Sequence, residues 1–114
     1  MDNYIKTCLG DELQSIHEIE SYFEGQPKVF AEYRKDGRTL RAVERNIEII
    51  WEAVNRILKF NPDFELRNAR NIIGTRNRII HSYDAISDEL IWSIVINHLP
   101  LLKIEVIELM KEYW

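Results

Sequence analysis

The sequence predicts an all-α protein, an antiparallel bundle of four to five helices. Apolar residues recur at intervals of three and four along most of the chain, which is the spacing of one face of an amphipathic helix. The few glycines and prolines mostly stand between these stretches, where they end helices. With 114 residues and no repeat or linker, residues 1–114 form one domain that is large enough to fold without disulfides or metals.

The first two helices are predicted on either side of Gly25-Gln26-Pro27. One apolar face runs from Asp2 to about Glu24, and the glycine and proline then break the helix. A short second helix is expected from Lys28 to Lys35. It should end at Asp36-Gly37, because glycine suits a left-handed C-terminal cap.

The third and fourth helices are predicted on either side of Phe60-Asn61-Pro62. Thr39 is the predicted N-cap of the third helix, which ends there because the residue before a proline avoids the α region. The fourth helix is expected from Asn68 to His81, followed by a short connection from Ser82 to Ile86. The core-facing residues are predicted to be Leu40, Val43, Ile47, Ile50, Val54 and Ile57 in the third helix, and Ile72, Ile73, Ile79 and Ile80 in the fourth.

The last helix should begin near Ser87, bend at Pro100 and run to Trp114. It carries two apolar stripes, one of Val95, Leu99, Leu102, Val106, Leu109 and Tyr113, the other of Ile91, Ile94, Leu101, Ile104 and Ile107. A helix that is apolar on two sides is buried on two sides. In so small a bundle the second side is expected to meet another subunit, so the sequence predicts a homodimer. Simple core packing is the alternative at each single position.

Composition and charge exclude several classes of protein. A net charge of −4 argues against a general nucleic-acid coat protein. The single Cys8 cannot form an intramolecular disulfide, and no Cys/His spacing matches a zinc site, so a reducing, cytoplasmic setting is expected. The chain shows neither a signal segment nor an apolar run near the roughly 20 residues that span a bilayer. No cofactor, metal or membrane contact is therefore expected.

One segment departs from the acidic balance. Between Leu66 and Tyr83 there are four arginines and no acidic residue. Local positive charge in an acidic protein indicates a site for a phosphate-bearing ligand. The arginines are Arg67, Arg70, Arg76 and Arg78.

The end of this segment has the groups that RNA cleavage requires. An imidazole titrates near pH ~6.5, so His81 can take a proton from a ribose 2′-hydroxyl or give one to a leaving 5′-oxygen. The guanidinium of Arg76 can stabilise the charge that builds on phosphorus. Arg78 and Arg70 can hold neighbouring phosphates, and Asn77 can donate a further hydrogen bond. No carboxylate cluster suited to magnesium accompanies them, which favours metal-independent transesterification.

Helical geometry limits this interpretation. Residues five apart lie about 140° from each other on an ideal helix, so Arg76 and His81 do not share a face. Either the helix ends or loosens near His81, or the two residues flank a groove. The same groups also have structural explanations: His81 as a C-terminal cap, the arginines as a solvated face and Tyr83 as a loop anchor.

Beyond the spacing itself, the pattern Arg-Asn-x3-His-x-Tyr resembles that of the HepT-like branch of the HEPN domains. These are the ribonuclease toxins of prokaryotic toxin–antitoxin pairs. Ala42–Ala53 resembles the third helix of that family, and Ile72–Tyr83 resembles its central signature. The last helix matches at Asp88, Leu90, Trp92, Leu99, Pro100 and Leu101.

The resemblance implies a HEPN-like bundle that dimerises, with the two Arg/His motifs meeting in a composite cleft. It implies Arg76 and His81 as the catalytic pair and Asn77 as polar support. The implied partner is a minimal nucleotidyltransferase antitoxin, which would transfer AMP from ATP to Tyr83. The sequence departs from the family pattern at two positions: Trp51 stands where the family commonly has glycine, and Ser82 replaces a frequent glycine. These departures affect the access of substrate and the modification of Tyr83 rather than the catalytic groups.

Three functions follow, of which a metal-independent endoribonuclease toxin is the leading hypothesis. The alternative is a non-catalytic subunit that binds a nucleotide or substrate and partners a minimal nucleotidyltransferase. The third is a purely structural helical dimer. The pair of Arg76 and His81 favours the nuclease, because binding alone needs no titratable group at position 81.

Overall fold

The computed structural model describes residues 2–81 and 88–112, with side chains for all of these except residues 75–81. The all-α prediction is confirmed, since this described part forms a helical bundle without a strand. Its helices are α1 (Asn3–Ser21), α2 (Phe30–Lys35), α3 (Gly37–Phe60), α4 (Arg67–His81) and α5 (Asp88–Glu112).

The two ends of α1 are set by local backbone chemistry. The Asp2 carboxylate accepts the N–H of Tyr4 at 2.7 Å, which caps the first turn. After Ser21 the chain turns and reaches Gly25, whose φ of 71° lies in the left-handed region that glycine adopts without strain. The predicted break at Gly25-Gln26-Pro27 is confirmed, although the helix ends before Glu24.

The junction of α2 and α3 corrects two predictions. Gly37 is the first residue of α3 and does not cap α2, because its φ is not positive. The N-cap of α3 is Asp36 rather than Thr39: the Asp36 carboxylate accepts the Thr39 N–H at 3.2 Å and its hydroxyl at 2.7 Å. These hydrogen bonds lower the pKa of the Asp36 carboxyl. Aspartate can satisfy the free N–H three residues ahead, so the helix starts earlier than predicted.

The core is centred on α3, which packs against α1, α2 and α4, while α5 covers α1, α2 and α4. As predicted, α3 ends at Phe60, before Pro62. Its predicted apolar face is confirmed, since five of the six residues are fully buried and Leu40 packs against their edge. The five are Val43, Ile47, Ile50, Val54 and Ile57.

The irregularity near Pro100 is a π-helical turn, Ile94–His98, between α-helical segments Asp88–Ser93 and Leu99–Glu112. The N–H of Leu99 donates to the carbonyl of Ile94, five residues earlier. Proline has no N–H, and its ring crowds the carbonyl four residues before it, so a wider turn ahead of Pro100 accommodates it within one continuous helix.

The two apolar stripes of α5 have different surroundings. Val95, Leu99, Leu102 and Val106 of the first stripe are buried. The second stripe divides: Ile91 and Ile94 are buried in the same core, whereas Leu101 is 52% exposed and Ile104 is 55% exposed. Within the described residues, Ile91 and Ile94 are therefore the fully covered members of the second stripe. The homodimer stays a prediction, now confined to the Leu101 and Ile104 end.

By length and composition alone, α5 would be able to cross a membrane. The sequence had predicted no segment of this kind. Residues 90–102 of α5 carry no charged side chain, but this run is shorter than the roughly 20 residues that span a bilayer, so a search for uninterrupted apolar runs misses the helix. A single helix of this kind is weak evidence, because a core helix of a soluble bundle has the same composition. One side of α5 does pack in the core through Val95, Leu102 and Val106. The absence of a membrane partner stays a prediction.

A buried carboxyl group lies between α1 and α5. Glu12 is fully buried, and neither of its carboxyl oxygens has a hydrogen-bond partner in the described part of the chain. Burial, followed by the nearby charge of Glu105, raises the pKa of Glu12 well above its usual range. Oε1 of Glu105 is likewise buried without a partner among the described groups. Glu12 is thus held in its neutral form at pH values where exposed glutamates are charged.

Replacing this carboxyl group should change how stability depends on pH. The folded state holds the Glu12 proton more tightly than the unfolded state, so its contribution is complete below the ordinary pKa of 4.5 and is lost as pH rises through the folded pKa. Glu12→Gln does not titrate, so we expect its free energy of unfolding to fall less than that of wild type as pH rises from about 5 to about 9. Urea unfolding from about pH 5 to 9 measures the difference. Glu18→Gln, on the exposed side of α1, is the control and should follow wild type. Parallel curves for wild type and Glu12→Gln would contradict the expectation.

Candidate functional site

The arginine-rich segment forms α4, which lies against α3 and α5. Leu66, Ala69 and Ile72 are fully buried, while Arg67 and Arg70 are exposed on the other side. The predicted helix from Asn68 to His81 is confirmed, beginning one residue earlier at Arg67. The buried face of α4 therefore fixes its side against the core and turns its first arginines towards solvent.

The motif residues lie at the far end of this helix. Arg76, Asn77 and Arg78 fall within the helical backbone of α4, and His81 is the last residue of its range. Their side chains lie outside the described residues, as does Tyr83 altogether. The structure thus places four motif positions on one helix, and the roles of all five residues stay predictions.

The backbone of α4 decides one question that the sequence left open. It is α-helical from Arg67 through His81, so it does not loosen between Arg76 and His81. The two positions therefore stay roughly 140° apart around the helix and about 7.5 Å apart along it. A helix that loosens before His81 is therefore excluded, whereas a helix that ends at His81 and two residues that flank a groove both stay predictions.

Trp51 attaches α4 to α3 just before the motif. Its indole N–H donates to the backbone carbonyl of Ile72 at 3.1 Å, and the Trp51 side chain is only 5% exposed. Trp51 stands where the family commonly has glycine, and this hydrogen bond was not predicted from the sequence. The sequence did contain a signal for such a bond, because the indole N–H of a buried tryptophan needs a hydrogen-bond acceptor.

Glu105 of α5 holds the other end of α4. One carboxylate oxygen, Oε2, accepts both the backbone N–H and the side-chain amide of Asn68, each at 3.2 Å. The first N–H groups of a helix have no partner within it, and a negative charge there complements the helix dipole. Sequence reasoning missed this cap because the two residues are 37 positions apart.

A groove of about 600 Å³ runs between the start of α4, the loop before it and α5. Arg67 and Arg70 line it from α4, and Leu101 and Ile104 contribute apolar surface from α5. Its acidic residues include Glu105, Glu108 and Glu112. Opposite charges therefore line a partly apolar groove.

Arg70 lies beside this groove rather than beside the motif. Its guanidinium donates to the carbonyl of Pro62 at 3.1 Å. Arg76 stands six positions after Arg70, a distance of about 9 Å along the helix axis. Contact of Arg70 with an RNA phosphate stays a prediction, and the structure shows that it would have to act at a distance from His81.

Trp92 belongs to an aromatic cluster away from this groove. Its ring lies 4.7 Å from that of Tyr33, 5.6 Å from Phe23 and 6.0 Å from Phe30. Burial, followed by the charges of Glu44 and Asp88, raises the pKa of the Tyr33 phenol. Trp51 is part of the core and Trp92 packs against it, whereas Trp114 lies outside the described residues.

No group of three His, Cys, Asp or Glu side chains is placed to hold a metal ion within the described part of the chain. This finding does not extend to the motif side chains. A reaction without metal or cofactor stays a prediction that rests on the residue types of the motif.

Comparison with known proteins places the chain among ribonucleases. Residues 13–109 match the family described as "Ribonuclease HepT-like". A protein of Methanocaldococcus jannaschii named "Putative RNase MJ0127" is 31% identical over 109 residues, which cover 95% of this chain and 88% of that protein. "Putative RNase TTE0752" of Caldanaerobacter subterraneus subsp. tengcongensis is 31% identical over 84 residues, covering 73% of this chain and 75% of that protein. No solved structure matches the chain.

Proposed function

The chain belongs to the HepT-like ribonuclease family, and we propose that it is the endoribonuclease toxin of a toxin–antitoxin pair, cleaving RNA through Arg76 and His81. The observation that carries the proposal is that the family match spans α4, where both residues are present on an anchored helix. The names of the two relatives support ribonuclease activity.

The proposed reaction is a metal-independent transesterification. His81 takes the proton of a ribose 2′-hydroxyl, and the 2′-oxygen forms a bond to phosphorus while the bond to the 5′-oxygen breaks. An imidazolium returns a proton to the 5′-oxygen, which leaves as a hydroxyl beside a 2′,3′-cyclic phosphate. Arg76 stabilises the charge on the phosphate oxygens, while Asn77, Arg78 and Arg70 bind the RNA around it.

The geometry of α4 favours a cleft made by two subunits. Within one chain, positions 76 and 81 lie roughly 140° apart around the α4 backbone, whereas motifs from two α4 helices can surround one phosphate. The exposed Leu101 and Ile104 offer an apolar surface for a second copy. This surface is next to α4, because the Asn68 amide lies 3.4 Å from the Leu101 carbonyl. A subunit covering it would lie along α4.

Neutralisation is proposed to occur by AMP transfer from ATP to Tyr83, catalysed by a minimal nucleotidyltransferase in the same cytoplasm. Each AMP adds a negatively charged phosphodiester and a base close to the motif. RNA phosphates are then repelled, and the arginines are occupied by the modification.

Arg76→Ala and His81→Ala should each lower RNA cleavage by at least about 100-fold, because proton transfer and charge stabilisation each contribute on that scale. Cleavage of total RNA in EDTA is the measurement, with circular dichroism to establish that the fold is kept. Arg45→Ala and His17→Ala remove the same residue types from exposed positions of α3 and α1 and should cleave like wild type.

The same assay separates the alternative function. A wild-type protein that binds nucleotides but leaves RNA intact in EDTA would be a non-catalytic binding subunit of a nucleotidyltransferase. Full cleavage by His81→Ala would show that position 81 takes no part in the chemistry.

Leu101→Asp combined with Ile104→Asp should convert a dimer into a monomer, because two charges would be buried without partners in the proposed interface. Sedimentation velocity measures the oligomeric state. Val29→Asp, at a 42% exposed apolar position just before α2, is the control and should stay dimeric. A monomeric wild type would remove the composite cleft from the proposal.

Tyr83→Phe should remain unmodified when incubated with ATP and the cognate nucleotidyltransferase, because the phenol oxygen that accepts AMP is missing. Intact mass spectrometry measures the addition of AMP units, and residual RNA cleavage measures neutralisation. Tyr4→Phe, at a tyrosine that is 43% exposed, should be modified like wild type. AMP on the Tyr83→Phe protein would place the acceptor elsewhere.

A further inference from the structure

We propose that Trp51 is a positioning residue for Arg76, acting through the backbone of α4. This inference rests on the proposed function, since it assigns Trp51 a part in the cleavage reaction. It adds a determinant outside the Arg/His motif, on a different helix.

The anchor point is rigid on the α3 side. Trp51 is 5% exposed, and its neighbours Ile50, Ala53 and Val54 are each at most 1% exposed. A side chain fixed in such packing has few rotamers available, so its indole N–H has a defined direction. The hydrogen bond to the Ile72 carbonyl is 3.1 Å long and buried. It therefore sets the position of α4 more sharply than apolar contacts, which tolerate sliding.

The accepting carbonyl lies one turn before the motif arginine. In an α-helix the carbonyl of residue 72 also accepts the N–H of residue 76. The indole of Trp51 and the backbone of Arg76 thus converge on one oxygen, which has two lone pairs. A hydrogen bond to this oxygen limits both the rotation of α4 about its axis and its displacement along that axis, at the turn that contains residue 76.

Two anchors together define the orientation of α4. Glu105 holds its first turn through Asn68, and Trp51 holds its middle through Ile72. Without the second anchor, the first anchor and the apolar contacts of α4 are left to limit its rotation. A displacement of about 1 Å in a group that contacts the reacting atoms can cost about 100-fold in rate.

The bond can be removed without leaving a buried acceptor unpaired. The Ile72 carbonyl keeps its helical partner when the indole is lost, so the effect on stability should be modest. An effect on catalysis can then be separated from an effect on folding. Tyr22 provides a matched control: its hydroxyl accepts from the Asn46 amide of α3 at 2.9 Å, and Asn46 keeps the Ala42 carbonyl as a second partner.

The experiment compares wild type, Trp51→Phe and Tyr22→Phe in cleavage of one defined RNA. Trp51→Phe and Tyr22→Phe each lose one hydrogen bond that involves a side chain of α3, and each keeps an aromatic ring. Only Trp51→Phe loosens α4. We expect Trp51→Phe to lower kcat about tenfold or more with KM within about twofold of wild type, because a displaced Arg76 fails mainly in the transition state. Tyr22→Phe should keep the wild-type kcat. An unchanged kcat in Trp51→Phe, or an equal loss in both variants, overturns the inference.

A second variant excludes a simple packing defect. Trp51→β-(3-benzothienyl)alanine keeps the size and shape of the side chain and replaces only the N–H by sulfur. It should reproduce the loss of kcat while unfolding at the same urea concentration as wild type. Wild-type kcat in this variant would show that ring volume, rather than the hydrogen bond, is what matters.

Amide hydrogen exchange gives a readout that does not depend on cleavage. Exchange of residues 72–76 should be faster in Trp51→Phe than in wild type or Tyr22→Phe, because the anchored turn opens more often. Unchanged exchange overturns the anchor. If wild type fails to cleave RNA while exchange responds as expected, the proposed function fails and the anchoring of α4 is supported.

Discussion

Burial of the apolar face of α3 is the constraint on which the other elements depend. The residues from Val43 to Ile57 on this face are fully excluded from solvent, and α1, α2 and α4 all pack on the helix that carries them. Each large aliphatic side chain removed from water contributes about 1.5–3 kcal/mol. Because α1, α2 and α4 cover this face, none of them can move away from α3 without exposing part of it. The core thereby supplies a rigid frame from which α4 is held.

Apolar burial explains that α4 lies on α3, and polar contacts explain how it lies there. Hydrophobic contact has little directional preference, so it fixes a face more firmly than it fixes rotation or height. The indole of Trp51 and the carboxylate of Glu105 supply direction, because hydrogen bonds weaken steeply when misaligned. The proposed reaction depends on that distinction, since a phosphate must meet Arg76 and His81 within a narrow range of positions.

The sequence predicted what depends on local pattern and missed what depends on contacts between distant residues. Pro62 and the apolar periodicity predicted that α3 ends at Phe60 and that α4 begins close to Arg67. Asp36 and Thr39 are both good N-caps three residues apart, and only the backbone shows which one is used. In the sequence Glu12 looks like a solvated acid, because its burial depends on the packing of α5 against α1. The motif was found by residue type and resemblance, while its anchors could be found only in three dimensions.

The π-helical turn of α5 has a consequence for how the chain can change in evolution. A π-helical turn accommodates one more residue than an α-helical turn over the same rise, so Ile94–His98 stores an insertion inside a continuous helix. In a relative without Pro100, removing one residue there would let the turn become α-helical while Ile91 before it and Leu102 after it still face the core. Relatives can therefore differ by one residue at this point without a change in packing, and the turn is where an alignment gap in α5 belongs.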